Sequence, residues 1–317
     1  VTRRAYDPEI APIVPMLPVE SDWSDIGAAR AQMEEMVKMV PAPPNAEQGV
    51  VFADRTVPGP PGAPDVRVRV YRPEASGDGA PRPAVLYVHG GGFCFGSIEF
   101  EHLSAVATTR ATGAVVVSVE YRLAPEHRFP AGIEDCYAAL CWLAGEADAL
   151  AVDRERMALM GQSAGGGLCA GLALMARDRG GPKLCLQVLG MPELDHRLET
   201  PSMRDFVDTP LWNRPNAIES WRCYLGDAPG DVSPYASPAI AEDLSGLPPA
   251  FISTMEFDPL RDEGIEFALR LLRAGVPVEL HQYPGTFHGS QLVAAAGVSK
   301  RSQNDMMGAL QRALQQR

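Results

Sequence analysis

A mostly parallel α/β sheet flanked by helices is predicted by three features of this 317-residue sequence. First, short continuous apolar runs alternate with segments of helical period over most of the chain, and strands buried on both faces need helices on both sides. Second, the run Met157 to Met160 passes into Gly161-Gln162-Ser163-Ala164-Gly165 and then into a small-residue helical pattern, Leu168 to Met175. Third, the run Ala84 to Val88 leads straight into His89-Gly90-Gly91-Gly92-Phe93. Both glycine motifs therefore follow strands, where tight turns place backbone close to a ligand.

The elements follow in order. Between Ser21 and Val40 the residues Ile26, Ala29, Met33, Met36, Val37 and Val40 fall on one helical stripe, with Asp22, Ser24 or Asp25 to cap it and Pro41 and Pro43-Pro44 to end it. Val50 to Phe52 and the period-two stretch Val66 to Tyr71 read as a half-exposed antiparallel edge, bracketed by the turn-rich Pro58 to Gly62 and Gly77 to Gly79. Buried strands are expected at Ala84 to Val88, Ala114 to Val119, Met157 to Met160, Leu184 to Leu189, Ala250 to Thr254 and Val276 to Tyr283, about eight strands with the edge pair. Helices are expected near Glu101 to Thr112, Ile133 to Ala144, Ala164 to Arg177, Leu260 to Ala274 and Gln291 to Gln315. The alternation lapses between Glu193 and Leu247, where only Ile218, Trp221 and Leu225 form a helical stripe. In an open α/β sheet the loops at the carboxyl ends of the strands surround the ligand, so this insertion is placed to cover Ser163.

Composition limits the function. A 46% hydrophobic content fills a large single core, and a net charge of −12 argues against nucleic acid or an anionic membrane as partner. The six cysteines include no C-x-x-C pair and sit mostly in apolar runs, which favours reduced thiols and a cytoplasmic location. The Val1-Thr-Arg-Arg start is followed by prolines and acids, without a signal-like apolar stretch, and no run is long enough to span a membrane. With no i, i+4 histidine pair and no cysteine ligand set, neither metal nor cofactor is expected.

Strand, G-x-S-x-G and helix in that order form the context of a nucleophile elbow, which makes Ser163 the candidate nucleophile. A dinucleotide loop is the weaker reading: Gly165-Gly-Gly-Leu-Cys-Ala170 fits G-x-G-x-x-A, but its first glycine falls inside the helix rather than directly after the strand. A serine needs a base, and the base an orienting acid. Downstream, His281 lies within a strand pattern, whereas His288 lies in the loop Pro284 to Ser290 at a strand's carboxyl end, from which it can reach the elbow. For the acid, Glu256 and Asp258 point to the same side of their strand, so alternation does not choose between them; Asp258 is nearer the loop and next to Pro259. Asp262 reads as a first-turn helix acid without a catalytic role. The glycines after His89 can turn bare N–H groups toward a developing negative charge.

His89-Gly-Gly-Gly-Phe93, Tyr121 to Ala131, Gly161-Gln-Ser-Ala-Gly-Gly166, Asp258-Pro-Leu-Arg-Asp-Glu-Gly264 and Phe287-His-Gly289, in this order over residues 50–289, resemble the hormone-sensitive lipase family of bacterial carboxylesterases, which has the α/β-hydrolase fold. The resemblance implies a catalytic triad of Ser163, Asp258 and His288, oxyanion donors on the N–H groups of Gly91, Gly92 and Ala164, and a helical cap. The cap would take in residues 1–48 and 193–235, with residues 49–192 and 236–317 as the two parts of the catalytic domain. Met33, Met36, Val37, Phe93, Trp212 and Trp221 are the candidate walls of the substrate pocket. Gln162 departs from the Asp or Thr usual before the nucleophile, which bears on subfamily and substrate preference. Arg122, Glu126 and His127 are expected to form a buried polar network that braces the loops.

The expected activity is hydrolysis of a small-molecule ester with a short to medium acyl chain, through an acyl-enzyme, without nucleic acid or membrane; a homodimer stays open. The rivals are a lactonase, amidase or aryl-ester specialist on the same fold, or a binding receptor that has lost turnover. Such receptors abandon the histidine, which is present here.

Overall fold

The computed structural model describes residues 5–19, 21–39, 43–74 and 80–315, with the side chains of residues 36–38 left out. Eight strands form one sheet: β1 (Val50–Val57), β2 (Val66–Pro73), β3 (Arg82–Val88), β4 (Val115–Glu120), β5 (Val152–Gln162), β6 (Leu186–Gly190), β7 (Ala250–Phe257) and β8 (Val278–Phe287). Their spatial order is β1-β2-β4-β3-β5-β6-β7-β8. β2 pairs antiparallel with both β1 and β4, and the remaining pairs are parallel. The helices are α1 (Ile26–Met39), α2 (His102–Thr112), α3 (Ala131–Gly145), α4 (Ala164–Asp178), α5 (Pro201–Asp205), α6 (Arg214–Leu225), α7 (Arg261–Arg273) and α8 (Gly297–Gln315).

Period-two alternation inside the apolar runs builds two cores. Leu86, Val117 and Leu159 face a cluster completed by Ile133 and Leu140 of α3, Leu172 of α4 and Phe267 of α7. Their neighbours Val85, Tyr87, Val116, Ala158 and Met160 face the opposite cluster, completed by Val106 of α2 and Leu310 of α8. A strand that is apolar at every position is stable only when both faces are covered in this way.

The antiparallel edge divides unequally. β1 is the outermost strand and exposed along its middle, whereas β2, paired on both sides, buries Val66, Val68, Val70 and Tyr71. The half-exposed edge expected from Val66 to Tyr71 therefore belongs to β1. Arg67 and Arg69 of β2 reach out beside it, both bound to Asp54 and Glu99.

β8 runs on past Pro284 to Phe287, beyond the end of its apolar run. Its pairing with β7 shifts register between Met255 and Phe257, opposite Gly285, which has φ +72° and could hold no side chain because a Cβ would lie 2.5 Å from the Asp7 nitrogen. α8 starts later than its pattern suggests: Ser290–Leu292 form a single turn, and the helix begins at Gly297, where Ala296 just before it and Val298 in its first turn join a cluster with Ile10 and Phe287.

The segments outside the alternation add no strand to the sheet. α1 starts at Asp25, whose carboxylate caps the Ala28 N–H at 2.8 Å. α5 and α6 lie in the insertion between β6 and β7, and the N-terminal segment meets it through Leu211 N–H donating to Pro18 O at 2.9 Å and Asn213 Nδ2 to Val19 O at 2.7 Å.

Candidate active site

Ser163 stands between the last residue of β5 and the first of α4 with φ +55° and ψ −127°. That region costs a non-glycine residue about 1–3 kcal/mol and persists only where the surroundings fix it. Here they do: Ser163 N–H donates to Gly190 O at 2.8 Å, and Ser163 O accepts from Gly167 N–H at 3.0 Å and Glu193 N–H at 3.1 Å. The motif glycines are required by contact, since a Cβ on Gly165 would lie 2.2 Å from Val88 O and one on Gly161 2.3 Å from Gly165 O.

His288 follows directly on β8. Its Nε2 lies 3.0 Å from Ser163 Oγ, and its Nδ1 lies 2.8 Å from Asp258 Oδ2. Asp258 is fully buried, and its second oxygen accepts the Leu260 N–H at 2.9 Å. With Nδ1 donating to the carboxylate, Nε2 is left as the acceptor for the serine proton. Glu256 is engaged elsewhere: its carboxylate accepts the Gly285 N–H at 2.6 Å and holds β8 at the register shift. His281 bonds Glu279 at 2.9 Å. Asp262 lies in the first turn of α7 and accepts the Ser202 N–H at 2.7 Å.

The glycine loop after β3 brings positive-φ backbone to the elbow, with Gly91 at +115° and Gly92 at +55°. Gly91 O accepts from Cys94 N–H at 3.1 Å and Phe95 N–H at 2.8 Å, which curls the loop. Among the described residues the N–H groups of Gly91, Gly92 and Ala164 donate to no protein acceptor. His89 anchors the loop: its ring stacks on Tyr121 at 4.1 Å, its Nδ1 lies 2.9 Å from Gly90 O, and Tyr121 OH donates to His89 O at 2.9 Å. Burial lowers the His89 pKa to about 4, so the imidazole is neutral at pH 7 and donates from Nδ1.

The candidate pocket residues occupy different surroundings. Trp212 lies over the site, its ring 5.6 Å from His288 and 2.8 Å from where a Gly92 Cβ would be. Phe93 is stacked on Tyr224 at 4.0 Å and lies 5.2 Å from Trp221, and both are buried in the core beneath α6. Met33 is half-buried on α1, while the side chains of Met36 and Val37 lie outside the described residues.

Arg122, Glu126 and His127 do not form one buried network. Arg122 makes a bidentate pair with buried Asp135 at 2.8 Å through each nitrogen, Glu126 turns outward to Arg30, and His127 is exposed. The chain turns between them, so three polar residues in sequence face three directions. Gln162 sends its amide oxygen to Gln291 Nε2 at 3.0 Å.

Two further groups carry no motif. Trp23 stands at the rim, edge-on to Phe95 at 5.3 Å and to Trp212 at 6.4 Å, with its Nε1 on Asn216 Oδ1 at 3.0 Å. Arg30 of α1 donates to the carbonyls of Cys94 at 2.7 Å and Ala124 at 2.6 Å.

A family model described as the alpha/beta hydrolase fold matches residues 85–292. The chain is 40% identical over 297 residues to carboxylesterase NlhH of Mycobacterium tuberculosis, with 91% of this chain and 90% of that protein covered. It is 32% identical to an ethyl acetate hydrolase of Pseudomonas putida, covering 87% and 85%. Among solved structures, a bacterial heroin esterase superposes with a TM-score of 0.93 at 48% identity, covering 98% of this chain and 99% of that one.

Proposed function

The chain belongs to the α/β-hydrolase carboxylesterases of the hormone-sensitive lipase type, and from that premise we propose that it is a serine esterase acting on short to medium acyl esters. The observation that carries this reading is the unbroken chain from Ser163 Oγ through the His288 ring to Asp258, with links of 3.0 and 2.8 Å. A family relative that hydrolyses ethyl acetate supports the short acyl end of the range.

In the proposed reaction Ser163 Oγ attacks the ester carbonyl as His288 Nε2 takes its proton. Asp258 holds the ring by Nδ1–H and stabilises its cationic form. The N–H groups of Gly91, Gly92 and Ala164 receive the oxyanion, and their fixed geometry means no reorganisation is needed as the charge develops. Collapse breaks the bond to the alcohol oxygen, which leaves with the His288 proton. Water, deprotonated by the same ring, then attacks the acyl–Ser163 ester, and the carboxylic acid departs.

The test is a panel of p-nitrophenyl esters from acetate to decanoate, with amide and lactone counterparts, run on the wild type and on Ser163→Ala. Ester turnover with a maximum among the shorter chains is expected, and the variant should lose about 10⁶-fold, as in a well-studied triad series. Preferred turnover of the amide or lactone, or full activity in Ser163→Ala, would overturn the reading.

A further inference from the structure

Glu193 follows β6 and supports the elbow from below. Its N–H donates to Ser163 O at 3.1 Å, and its carbonyl would lie 2.1 Å from any Cβ on Gly167. The residue is fully buried, and neither carboxyl oxygen has a well-aligned hydrogen-bond partner among the described residues. The polar group beside it is the buried Ser220 hydroxyl of α6, which is turned instead to the Gly92 carbonyl at 3.1 Å. The titratable groups facing Glu193 are Asp258 at the end of β7, Glu263 on α7, Tyr224 on α6 and Cys94 in the glycine loop; α4 presents glycine backbone. None of these is a cation, and an unpaired buried carboxylate costs several kcal/mol.

From this juxtaposition we infer that Glu193 is a positioning residue for the oxyanion loop and acts as a neutral carboxylic acid, donating its proton to Ser220 Oγ so that the Ser220 proton is directed to the Gly92 carbonyl. The inference rests on the esterase reading. Ser220 has one proton to give, so the state of Glu193 decides where it goes. When Glu193 loses its proton to solvent, the carboxylate becomes the better acceptor, the Ser220 hydroxyl rotates to it, and Gly92 O loses its donor. Gly92, at φ +55°, then loses a restraint on its carbonyl side, and the N–H it presents to the oxyanion is held less firmly. Burial pushes the Glu193 carboxyl up to about 8, and the Asp258 charge acts in the same direction against the Ser220 hydrogen bond. The neutral form therefore prevails at pH 7 and is lost as pH rises through that value.

The test measures kcat and KM for p-nitrophenyl butyrate between pH 6 and 9.5. The wild-type kcat is expected to fall on the alkaline side with a midpoint near 8, following Glu193. Glu193→Ala should lower kcat at pH 7 by about ten-fold, the scale of one lost hydrogen bond, with KM changed less. Glu193→Gln, whose amide still donates to Ser220 but cannot ionise, should recover most of that loss and hold kcat level to pH 9.5. Ser220→Ala should show the loss without the alkaline midpoint, which keeps the test decisive if the Glu193 variants fold poorly. A level wild-type profile, or a Glu193→Gln or Ser220→Ala profile that still bends near 8, overturns the inference. A wild type without esterase activity, or one whose activity survives Ser163→Ala, would instead bring down the esterase reading.

Discussion

Glu256 and Asp258 carry the same functional group two residues apart, and their neighbours separate their roles. Asp258 bonds the His288 ring, while Glu256 accepts a backbone N–H from Gly285 three residues before it. Asp258→Asn should lower kcat by about 10⁴-fold, the loss seen in a serine-protease triad, because the amide cannot stabilise the imidazolium and favours the wrong tautomer. Glu256→Gln keeps an oxygen that can accept from Gly285 and should cost less than about ten-fold, or about 1.4 kcal/mol. Steady-state rates of the two variants check this; a larger loss in Glu256→Gln would reassign the acid. The sequence pattern singled out Ser163 because the glycines around it leave few backbone alternatives. It left the acid open, because the choice depends on a register shift between β7 and β8 that strand alternation does not encode. Glu193 had no signal at all, since its surroundings come from β7, α6, α7 and the glycine loop, all distant in sequence.

At the scale of an element, α1 is held to the rest of the molecule by more than its apolar stripe. Ile26, Ala29, Arg30 and Met33 form its half-buried face, and Arg30 extends from that face to Cys94 O, Ala124 O and the Glu126 carboxylate. The two carbonyls belong to the glycine loop and the Tyr121 to Ala131 tract, 64 and 94 residues away. Periodicity locates such a helix, but it cannot say which carbonyls an arginine on it will meet. Arg30→Ala should lower unfolding free energy by about 2–3 kcal/mol, because charged donors are lost and partly buried carbonyls are left unpaired. Arg30→Lys should resemble the alanine variant more than the wild type, since a single ammonium cannot replace a fork bonded to three acceptors. Urea unfolding of both variants tests this, and a lysine variant as stable as wild type would show that charge alone holds the helix.

For the whole molecule, the N-terminal segment divides between two tasks, and acyl-chain selectivity can separate them. Residues before Pro18 pack with the sheet: Ile10 is fully buried in a cluster with Phe287, the residue before His288, and Asp7 N–H donates to Gly285 O at 2.9 Å. Residues after Pro18 pack with the insertion, through Val19 and Asn213 and through Trp23, Asn216 and Trp212. Only the second part is placed to line an acyl site, because Trp212 lies over His288 and Trp23 touches Trp212. Trp23→Ala and Met33→Ala should therefore leave acetate turnover nearly intact. Their loss should grow with chain length, by at most about 0.8 kcal/mol, or roughly four-fold in kcat/KM, for each methylene that loses its wall. Deleting residues 1–17 should act differently: it uncovers the backing of Phe287, loosens the strand that presents His288, and lowers turnover of acetate and hexanoate by the same factor. Measuring kcat/KM for the two esters in all three variants decides the matter. A uniform loss in Trp23→Ala and Met33→Ala would mean that α1 and its approach only brace the glycine loop. A chain-length-dependent loss in the deletion would place the acyl site against the sheet side of the segment instead.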